Sequence, residues 1–395
     1  MRILQVTSAY YPELQFGGPP QKIHALSRGL SARGHDVRVV TLNSRRRSAS
    51  EQALIEGIAV QYLPWAGKGA WQAPVGWRPL VNAVHWAELV HCYGLYNLLC
   101  PLAARLARGQ DKPFLIEPQG MAVARAGNLP LKRLYHRFFT AYLLRQAACV
   151  VATSPAEADE VKQWVTSERL EVRRNGIDLE MFRNLPSGVA FRERFGIPGD
   201  ARVALFVGRI SPIKNLEMLV RAFAVAKVPH SRLVLVGPML EPDYTARLRT
   251  LCAELGLGEA VLLTGPMFGF DKLAALAAAD LFVLPSLSES YGNAAAEAVA
   301  AGLPVLLTET CGIAHQIHGR AGLAVPVEES ALASALRALL TDSGQLTAVT
   351  SGRDGVLAEL SWKEPLDQTE HLYHRITSRL VTPAAMASAD IKTTS

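Results

Sequence analysis

The sequence lacks the features that several classes of protein require. It has no uninterrupted apolar stretch near the roughly 20 residues that span a membrane, and its apolar start, residues 1–6, has the pattern of a buried strand and not of a secretory leader. The dinucleotide-binding motif Gly-x-Gly-x-x-Gly is also absent, which disfavours a dehydrogenase. These absences predict a cytoplasmic protein.

Cysteine is scarce, with 5 residues in a chain of 395. The number is odd, the residues are widely separated, and none belongs to a Cys-x-x-Cys pair that would suggest zinc or a redox site. Isolated thiols of this kind behave as small hydrophobic side chains, so we expect them to be buried and reduced. They are Cys92, Cys100, Cys149, Cys252 and Cys311.

The chain has enough apolar residues for two cores. Hydrophobic residues make up 49% of it, and 395 residues suit two domains of comparable size. Short apolar runs alternate with helical segments, which predicts an α/β fold with parallel, doubly wound sheets. The irregular, proline- and glycine-containing residues 184–200 mark the boundary. We therefore predict one domain at 1–185, a second at 200–364, and a last helix that ends near residue 380.

Positive charge is concentrated in the first half. Residues 1–185 carry 23 Lys and Arg against 14 Asp and Glu, a balance of +9, and residues 186–395 carry 18 against 21, a balance of −3, so that the two sum to the net +6 of the chain. No nucleic-acid-binding module is evident. The densest basic stretch, residues 131–145, has the spacing of an interfacial helix, although a helix packed on its own domain shows the same spacing. Peripheral contact with the inner face of an anionic membrane and a purely structural role both stay open.

Two acids flank a predicted helix start within residues 284–305. An apolar strand ends at Leu284, a polar loop carries Glu289, and the helix predicted to begin near Asn293 carries Glu297. The free N–H groups and the dipole of a helix start favour an anion such as phosphate. At about 100° per residue the two acids cannot share one helical face. We therefore expect them to contact different parts of one ligand.

A second candidate segment follows the first strand of the second domain. It places two cations, Arg209 and Lys214, at the carboxyl end of a parallel strand, where open α/β sheets bind their ligands. Arginine can contact two phosphate oxygens at once, and lysine acts as a compact point charge. The two side chains therefore suit a diphosphate leaving group.

These segments resemble the donor-binding motifs of a known family. Residues 285–305 read Pro-Ser-x-x-Glu-x-Tyr-Gly-Asn-x-x-x-Glu-Ala-x-Ala-x-Gly-x-Pro-Val, and residues 208–215 read Gly-Arg-x-x-x-x-Lys-Asn. Both patterns are similar to those of retaining GT-B glycosyltransferases, and the chain resembles glycosyltransferase family 4, the glycosyl transferases group 1. With the Gly17-Gly18 loop and residues 175–178, the motifs follow the family's order over nearly the whole chain.

The resemblance implies a GT-B fold, in which two Rossmann-like, doubly wound parallel-sheet domains face a central cleft. The first domain, together with a crossover helix at about residues 365–380, would bind the acceptor, and the second would bind the nucleotide-sugar donor. The implied donor contacts are Arg209 and Lys214 to the diphosphate, the backbone of Tyr291, Gly292 and Asn293 to the sugar or phosphate, Glu289 to sugar hydroxyls, Glu297 to the ribose, and Gly18 beside the phosphates.

The resemblance also implies a retaining reaction without a metal. The leaving phosphate oxygen takes the acceptor's proton on the same face, so no side-chain nucleophile is needed. We expect no cofactor beyond the nucleotide diphosphate sugar, because two cations and a helix start can neutralise the charge that a divalent ion neutralises elsewhere. Residues 175–178 are interpreted as a structural turn, since Asn-Gly favours turns.

One position departs from the family pattern. Many members carry a histidine before a glycine after the strand that here ends at Glu117, whereas this chain has Gln119 followed by Gly120. The role of Gln119 is therefore open. His91 ends the preceding predicted strand, and it is interpreted either as a catalytic residue that faces the cleft or as a buried core histidine.

The resulting hypothesis is a cytoplasmic, retaining, metal-independent hexosyltransferase. It would move a sugar from a nucleotide diphosphate donor to an acceptor in lipid-linked glycan, lipopolysaccharide or exopolysaccharide assembly, with Glu289, Arg209, Lys214 and His91 as catalytic residues. Two alternatives are a nucleotide-sugar-binding protein without turnover, motivated by Gln119, and a GT-B-type nucleotide-sugar epimerase, which the spacing of the two acids disfavours.

Overall fold

The computed structural model describes residues 1–13, 17–44, 48–124 and 129–387, without the side chains of residues 70 and 379–387. The strands are β1 Arg2–Thr7, β2 Asp36–Leu42, β3 Glu51–Ile55, β4 Ile58–Leu63, β5 Trp65–Ala66, β6 Ala73–Pro74, β7 Leu89–Tyr93, β8 Phe114–Glu117, β9 Cys149–Ala152, β10 Leu170–Val172, β11 Arg202–Val207, β12 Ser231–Val236, β13 Val261–Gly265, β14 Leu281–Leu284, β15 Val305–Thr308 and β16 Gly322–Val325. The helices are α1 Gly18–Ala32, α2 Arg78–Trp86, α3 Leu99–Arg108, α4 Leu129–Tyr135, α5 Ala141–Gln146, α6 Pro155–Val161, α7 Val189–Arg194, α8 Leu216–Ala226, α9 Pro242–Glu254, α10 Gly269–Ala277, α11 Asn293–Ala300, α12 Ala314–Ile317, α13 Glu329–Thr341, α14 Ser343–Thr350, α15 Arg353–Glu359 and α16 Lys363–Ala387.

The chain divides into two compact units. Unit 1 comprises Met1–Arg174 and Trp362–Ser395, and unit 2 comprises Asn175–Ser361. The division comes before the irregular residues 184–200 that the sequence suggested as the boundary. The reason is that apolar side chains preceding or within that stretch, among them Phe182 and Phe191, are buried in the core of unit 2. Burial of these side chains, and not chain irregularity, decides to which unit the segment belongs.

Unit 1 is built on a mostly parallel sheet. Its eight strands lie in the order β10-β9-β8-β7-β1-β2-β4-β3, and β3 alone pairs antiparallel, with β4. Successive strands run outward from β1 on one side and outward from β7 on the other, so the order reverses between these two strands. In a doubly wound sheet this switch point lies beside the ligand crevice. Gln5 of β1 and His91 of β7 are register partners at this point.

Helices cover both faces of the unit 1 sheet. Strand side chains alternate between the faces, so that Ile3 packs in one cluster with the apolar side of α1 and with Tyr373 of α16. Leu4 and Val6 face the other way and pack with residues of α2, α3 and α5. The last helix thus completes the core of the first unit, although it is separated from that unit in sequence by all of unit 2.

Unit 2 repeats this architecture. Its six strands are all parallel, in the order β13-β12-β11-β14-β15-β16. Here the switch point lies between β11 and β14. The two segments singled out in the sequence, residues 208–215 and 284–305, begin at the carboxyl ends of these two neighbouring strands.

Several elements differ from the sequence predictions. The strand β3 and the helix α2 were not predicted, whereas a strand was predicted at residues 58–63, where β4 lies. A helix was predicted from about residue 95, but α3 begins at Leu99, because the Asn97 side chain accepts the Cys100 N–H at 2.9 Å. The helix predicted to end near residue 380 continues to Ala387. A loose tail was predicted over residues 382–395, of which residues 388–395 lie outside the described residues.

Two predictions from absence can be compared with the structure. All five cysteines are free and buried, as expected. Within the described chain, no helix is both long and apolar enough to cross a membrane.

Candidate functional site

The two loops at the switch point of unit 2 contact each other. The loop after β11 contains a 3-10 turn, Pro212–Lys214, and the loop after β14 contains Glu289. The Leu287 N–H donates to the Ile213 carbonyl at 2.9 Å. Lys214 Nζ forms a close ion pair with Glu289 Oε2, and the two side chains are 16% and 20% exposed. The structure therefore brings together two side chains that the sequence assigned to one site across 75 residues.

Glycine at position 237, directly after β12, allows the loop after β11 to pack closely against this strand end. Gly208 N–H donates to the Val236 carbonyl at 2.9 Å, and a Cβ on Gly237 would lie only 1.7 Å from the Gly208 carbonyl oxygen. A side chain at Gly237 would displace the loop that carries Arg209 and Lys214. The backbone here is consequently positioned by strand-end contacts, and not by the charged side chains themselves.

The loop after β14 is held by the loop after β15. Thr308 and Thr310 hydroxyls both donate to the Ser286 carbonyl at 2.6 Å, and the Gly312 N–H donates to the Glu289 carbonyl at 2.9 Å. Burial, with the nearby Glu289 charge as a smaller contribution, raises the pKa of Cys311 to about 12. Cys311 is therefore a neutral packing residue, and Glu289 is presented on a well-anchored backbone.

The start of α11 offers backbone groups instead of the side chain of Tyr291. Tyr291 is 1% exposed and its hydroxyl donates to Gln316 at 3.2 Å, so only its main chain is available to a ligand. Gly292 has φ of 114°, which favours glycine. A Cβ there would also lie 2.9 Å from Ile313 Cγ2. The Ala295 and Ala296 N–H groups donate to the Gly292 carbonyl at 3.0 and 3.1 Å. The N–H groups of Asn293 and Ala294 precede them at the helix start, which is a general anion-binding feature.

Asn293, the first residue of α11, accepts a hydrogen bond from an unexpected partner. The Asn175 side-chain amide donates to Asn293 Oδ1 at 2.8 Å, and Asn175 is 4% exposed. The turn predicted at residues 175–178 is not formed. Instead the Ile177 N–H donates to the Leu360 carbonyl at 2.7 Å, and Ile177 forms a β-bridge with Ser361. These backbone groups are hydrogen-bonded to a distant segment, so they do not need the hydrogen bond that a turn would provide.

Glu297 lies about one helical turn after the start of α11, and it also forms an ion pair with a lysine. Lys272 Nζ of α10 contacts Glu297 Oε1 at 2.8 Å, and both side chains are 13% exposed. Arg209, in contrast, is exposed and has neither an ion pair nor a hydrogen bond among the residues that the structure describes. Of the two predicted diphosphate contacts, Arg209 is thus available to an incoming anion, whereas Lys214 first has to leave or share Glu289.

Two buried hydroxyls lie in the same pair of loops. Ser211 is 2% exposed and Ser286 is 0% exposed, and neither Oγ has a hydrogen-bond partner within the described ranges. Buried hydroxyls are nearly always hydrogen-bonded in proteins. Together with the anchored loops, the paired acids and the helix start, these unsatisfied groups favour the switch point of unit 2 as a polar ligand site.

The predicted residues of unit 1 lie at the corresponding end of its own sheet. Gly18 begins α1, and Gly17 before it has φ of 92°, which favours glycine. Pro19 and Pro20 follow in the first turn, where a missing N–H does not cost a helical hydrogen bond. The helix start therefore presents the backbone of Gly17 and Gly18 without side chains, and the contact of Gly18 with phosphate stays a prediction.

His91 lies in the interior of unit 1. It is 1% exposed, and its Nδ1 lies 2.6 Å from the Tyr373 hydroxyl and 3.0 Å from the Tyr93 hydroxyl. Burial lowers the pKa of His91 to about 3, so the ring is neutral at physiological pH. The structure favours the second interpretation of this residue, a core histidine, over a catalytic group that faces solvent.

A buried charge cluster lies beside His91. Lys22 of α1 and Arg173, which follows β10, both form close ion pairs with Glu117 at the end of β8, and all three side chains are at most 5% exposed. Burial by itself raises the pKa of Glu117, but the Lys22 and Arg173 charges outweigh it and hold that pKa below its usual range. Burial lowers the pKa of Lys22.

Gln119 follows this cluster with a left-handed backbone, φ of 57°. The next N–H, of Gly120, donates to the Glu157 carboxylate, which also accepts from the Thr153 N–H at 2.7 Å. Gln119 Nε2 is buried and has no hydrogen-bond partner in the described part of the chain. The backbone at this position is therefore anchored through Gly120 and Glu157, and the Gln119 amide nitrogen is an unsatisfied buried group.

The family models match both halves of the chain. The model described as Glycosyl transferases group 1 matches residues 190–351, and the model described as Glycosyl transferase 4-like domain matches residues 17–176. A D-inositol 3-phosphate glycosyltransferase from Thermobispora bispora is 34% identical over 331 residues, which cover 80% of this chain and 69% of that protein. The chain belongs to the glycosyl transferases group 1 family.

Solved structures show the fold of this glycosyltransferase. Sucrose-phosphate synthase from Thermosynechococcus elongatus matches with a TM-score of 0.77 and 22% identity, over 96% of this chain and 100% of that one. Anabaena HepE in complex with UDP and glucose matches with a TM-score of 0.74 and 20% identity, over 95% and 99% of the two chains. The predicted GT-B fold, with two Rossmann-like units, is confirmed.

Sequence reasoning missed two polar contacts of the glycosyltransferase's candidate site. Lys272 reaches Glu297 from α10, and Asn175 reaches Asn293 from the segment interpreted as a turn. Lys272 lies outside the motifs that drew attention to the site, and Asn175 lies in residues 175–178, which were interpreted only as a structural turn. Lys272 could have been noticed in the sequence, because it is a lysine in a largely apolar helix, residues 269–277. Asn175 could not, because the turn propensity of Asn-Gly indicated a structural role and not a contact with the site.

Proposed function

We propose that this glycosyltransferase is a retaining, metal-independent hexosyltransferase that uses a nucleotide diphosphate sugar. The observation that carries the proposal is the Lys214–Glu289 ion pair at the switch point of unit 2. A cation for the leaving diphosphate and a carboxylate for the sugar hydroxyls are adjacent there, as the two ends of a nucleotide diphosphate sugar require.

The diphosphate would bind Arg209, Lys214 and the start of α11. The bond from the anomeric carbon to the phosphate oxygen breaks, and negative charge develops on the diphosphate as it leaves. Cations and helical N–H groups that are already in place stabilise that charge without reorganisation. The acceptor hydroxyl forms the new bond on the same face, and its proton passes to the departing phosphate oxygen, which gives retention.

The two acids would bind the two sugars of the donor. Glu289 accepts hydrogen bonds from hydroxyls of the transferred hexose, and Glu297 accepts them from the ribose. In the structure each carboxylate is paired with a lysine, Glu289 with Lys214 and Glu297 with Lys272. These pairs hold the carboxylates in place before the donor arrives, so less side-chain ordering is needed on binding.

The comparisons support a nucleotide-sugar donor and leave a choice of acceptors. HepE was crystallised with UDP and glucose, and the relative from Thermobispora bispora is a D-inositol 3-phosphate glycosyltransferase. We propose a glycan or lipid-linked acceptor in lipid-linked glycan, lipopolysaccharide or exopolysaccharide assembly, with the acceptor held by unit 1. Gln119 Nε2 is a buried donor without a partner among the described residues, and it supports a polar ligand in that unit because buried polar groups are normally hydrogen-bonded.

A thermal-shift panel over UDP-, GDP- and ADP-sugars tests the donor class, because a ligand of the native state raises the melting temperature. The donor that stabilises the protein is then used with candidate acceptors, and the anomeric configuration of the product is read by NMR. Retention with full activity in EDTA is the expected result. An inverted product, or activity that returns only with added Mg²⁺ or Mn²⁺, contradicts the proposed mechanism.

Replacing Lys214 by alanine is expected to weaken nucleotide diphosphate binding by about 10- to 100-fold, since a charge-assisted contact contributes roughly 1.5–3 kcal/mol. The measurement is calorimetric titration with the diphosphate of the best donor. Lys227→Ala is the matched control, because Lys227 is exposed and lies directly after α8, whereas Lys214 precedes that helix. Equal losses in both variants would show that net charge, and not this contact, binds the diphosphate.

A nucleotide-sugar-binding protein without turnover is the second candidate function. It is favoured by Gln119, which is neutral where many members of the family carry histidine. This alternative is supported if donors raise the melting temperature while neither hydrolysis of the donor nor transfer to any acceptor is observed. Gln119→His is informative in that case, because gain of turnover would assign the loss to this position.

We also propose that the segment from α4 to α5 contacts anionic membrane. One side of this segment is packed on unit 1 through Tyr135 and Leu143, whereas Leu134 and Phe138 on the other side are 44% and 57% exposed. Exposed arginines flank them, among them Arg133, and no Asp or Glu occurs between residues 117 and 157. A cationic surface with exposed apolar side chains suits the interface of an anionic bilayer.

Phe138→Asp is expected to reduce the fraction of protein bound to vesicles of phosphatidylcholine with about 30% phosphatidylglycerol by at least about fivefold, because it removes an apolar contact and adds a like charge. The measurement is vesicle flotation at low and at physiological salt. Phe270→Asp is the matched control, since Phe270 is 71% exposed but lies in unit 2. If both variants bind as the wild type does, the proposed membrane surface is wrong.

A further inference from the structure

Three potential metal ligands meet on unit 1, and none of them has a role in the site described above. Glu370 and His374 lie one helical turn apart on α16, so both project from the same side of the helix. His35 lies in the turn between α1 and β2. One ligand atom from each of the three residues lies within 4.8 Å of the other two.

The geometry of the three residues is close to that of a metal site. His35 Nε2 lies 2.9 Å from Glu370 Oε1, and the His35 and His374 ring centroids are 6.1 Å apart. Zinc bonds of about 2.0–2.2 Å place tetrahedral ligands about 3.4 Å apart, so the widest pair has to close by about 1.4 Å at most. His374 is exposed, and rotation of its side chain can supply that movement.

Neighbouring groups already orient two of the ligands. Arg33 donates from Nη1 to Glu370 Oε2 at 2.9 Å and from Nη2 to Asp367 at 2.6 Å, which turns Glu370 Oε1 toward His35. His35 Nδ1 lies 3.4 Å from the N-terminal nitrogen of Met1. Partners of this kind fix ligand orientation in metal sites. The Arg33 charge also lowers the affinity for a cation, so we expect weaker binding than at a closed site of four ligands.

We propose that His35, Glu370 and His374 bind one divalent transition-metal ion of the class of Zn²⁺, Ni²⁺ or Co²⁺. Two imidazoles and one carboxylate suit these ions, whereas Mg²⁺ prefers oxygen ligands. The ion replaces the proton between His35 Nε2 and Glu370 Oε1, and the open side at the exposed His374 takes water. It clamps α16 onto the turn between α1 and β2, and so stabilises the last helix on unit 1.

This site is independent of the proposed transfer reaction. Its ligands all belong to unit 1, whereas the Lys214–Glu289 pair belongs to unit 2. Glycosyl transfer is therefore expected to proceed in EDTA while the metal affects only the stability of the fold. Failure of either proposal leaves the other unchanged, since one is read by product formation and the other by metal binding in the absence of any sugar.

The test uses the full chain without a histidine tag, after treatment with EDTA and its removal. Calorimetry is expected to show one equivalent of Zn²⁺, Co²⁺ to give visible absorption bands, and Zn²⁺ or Ni²⁺ but not Mg²⁺ to raise the melting temperature. His374→Ala is expected to weaken Zn²⁺ binding at least tenfold and to fold normally, because His374 is exposed. His371→Ala, an exposed histidine of the same helix that lies outside the three, is expected to bind Zn²⁺ as the wild type does.

Three results of the Zn²⁺-binding experiments would overturn the proposal. They are the absence of saturable Zn²⁺ binding, binding by His374→Ala with wild-type affinity, and an equal loss in His371→Ala, which would indicate nonspecific binding to surface histidines. A melting temperature that rises equally with Mg²⁺ would replace the transition-metal site by general charge neutralisation.

Discussion

Replacing Glu289 by alanine is expected to abolish glycosyl transfer and to leave the fold intact. The carboxylate would hold the hydroxyls of the transferred sugar, and loss of one group that stabilises a transition state typically costs about 100- to 1000-fold in rate. We therefore expect kcat/KM to fall at least about 100-fold. The melting temperature should change by only about 2–4 °C, because the pair with Lys214 is partly exposed and its loss costs about 1 kcal/mol.

Two control variants distinguish the effect of losing a negative charge from the effect of losing the contact that Glu289 makes. Glu289→Gln keeps the shape of the side chain and part of its hydrogen bonding, and it should retain more activity than the alanine variant. Glu329→Ala removes an exposed acid at the start of α13 in the same unit and should have no effect. A transfer rate of Glu289→Ala within a few-fold of the wild-type rate would contradict the assignment of Glu289 to the site.

The second large effect concerns stability. Glu117→Gln removes the only carboxylate that pairs with Lys22 and Arg173 in the described part of unit 1. Two buried cations then lose their ion-pair partner, and breaking a buried pair in this way costs about 3–5 kcal/mol. The measurement is the free energy of unfolding of the first transition in urea, with circular dichroism as the probe.

A surface pair supplies the contrast for Glu117. Glu88 lies 3.7 Å from Arg2, and the two side chains are 45% and 52% exposed. Glu88→Gln is therefore expected to cost no more than about 1 kcal/mol. A similar small effect in Glu117→Gln would mean that water or a proton already compensates the buried cluster.

The same cluster predicts the direction of acid sensitivity. Lys22 and Arg173 hold the pKa of Glu117 below its usual range in spite of burial. A carboxyl with a lowered folded-state pKa stabilises the fold above its unfolded-state pKa, and this contribution is lost as the pH falls through the folded-state pKa. The acid sensitivity of the wild type below about pH 4 should accordingly be reduced in Glu117→Gln, which has already lost that contribution.

The site in unit 2 could be predicted because its residues follow strand ends. Apolar runs show where β11 and β14 end, and polar residues directly after such runs lie at the carboxyl edge of a parallel sheet. Arg209, Lys214 and Glu289 all have this position. That β11 and β14 are neighbours at the switch point does not follow from either run, and it is this strand order that pairs Lys214 with Glu289.

The environment of His91 could not be predicted from the sequence. The residue ends an apolar run, and from the run alone it could face a ligand or the core. In the structure it is buried, and Tyr373, which follows it by 282 residues, contacts its ring because α16 belongs to unit 1. The same is true of Glu117, whose partners Lys22 and Arg173 come from α1 and from the chain after β10.

Local patterns thus determined the alternation of strands and helices, the positions of the loops and the types of side chain that these loops carry. They could do so because hydrophobic periodicity and helix-start chemistry depend on residues only a few positions apart. The tertiary structure alone decided which unit residues 175–200 join, which acid pairs with which lysine, and which histidine is buried and which is exposed. These outcomes depend on burial and on electrostatic compensation between segments that are distant in sequence, and strand order is what brings such segments together.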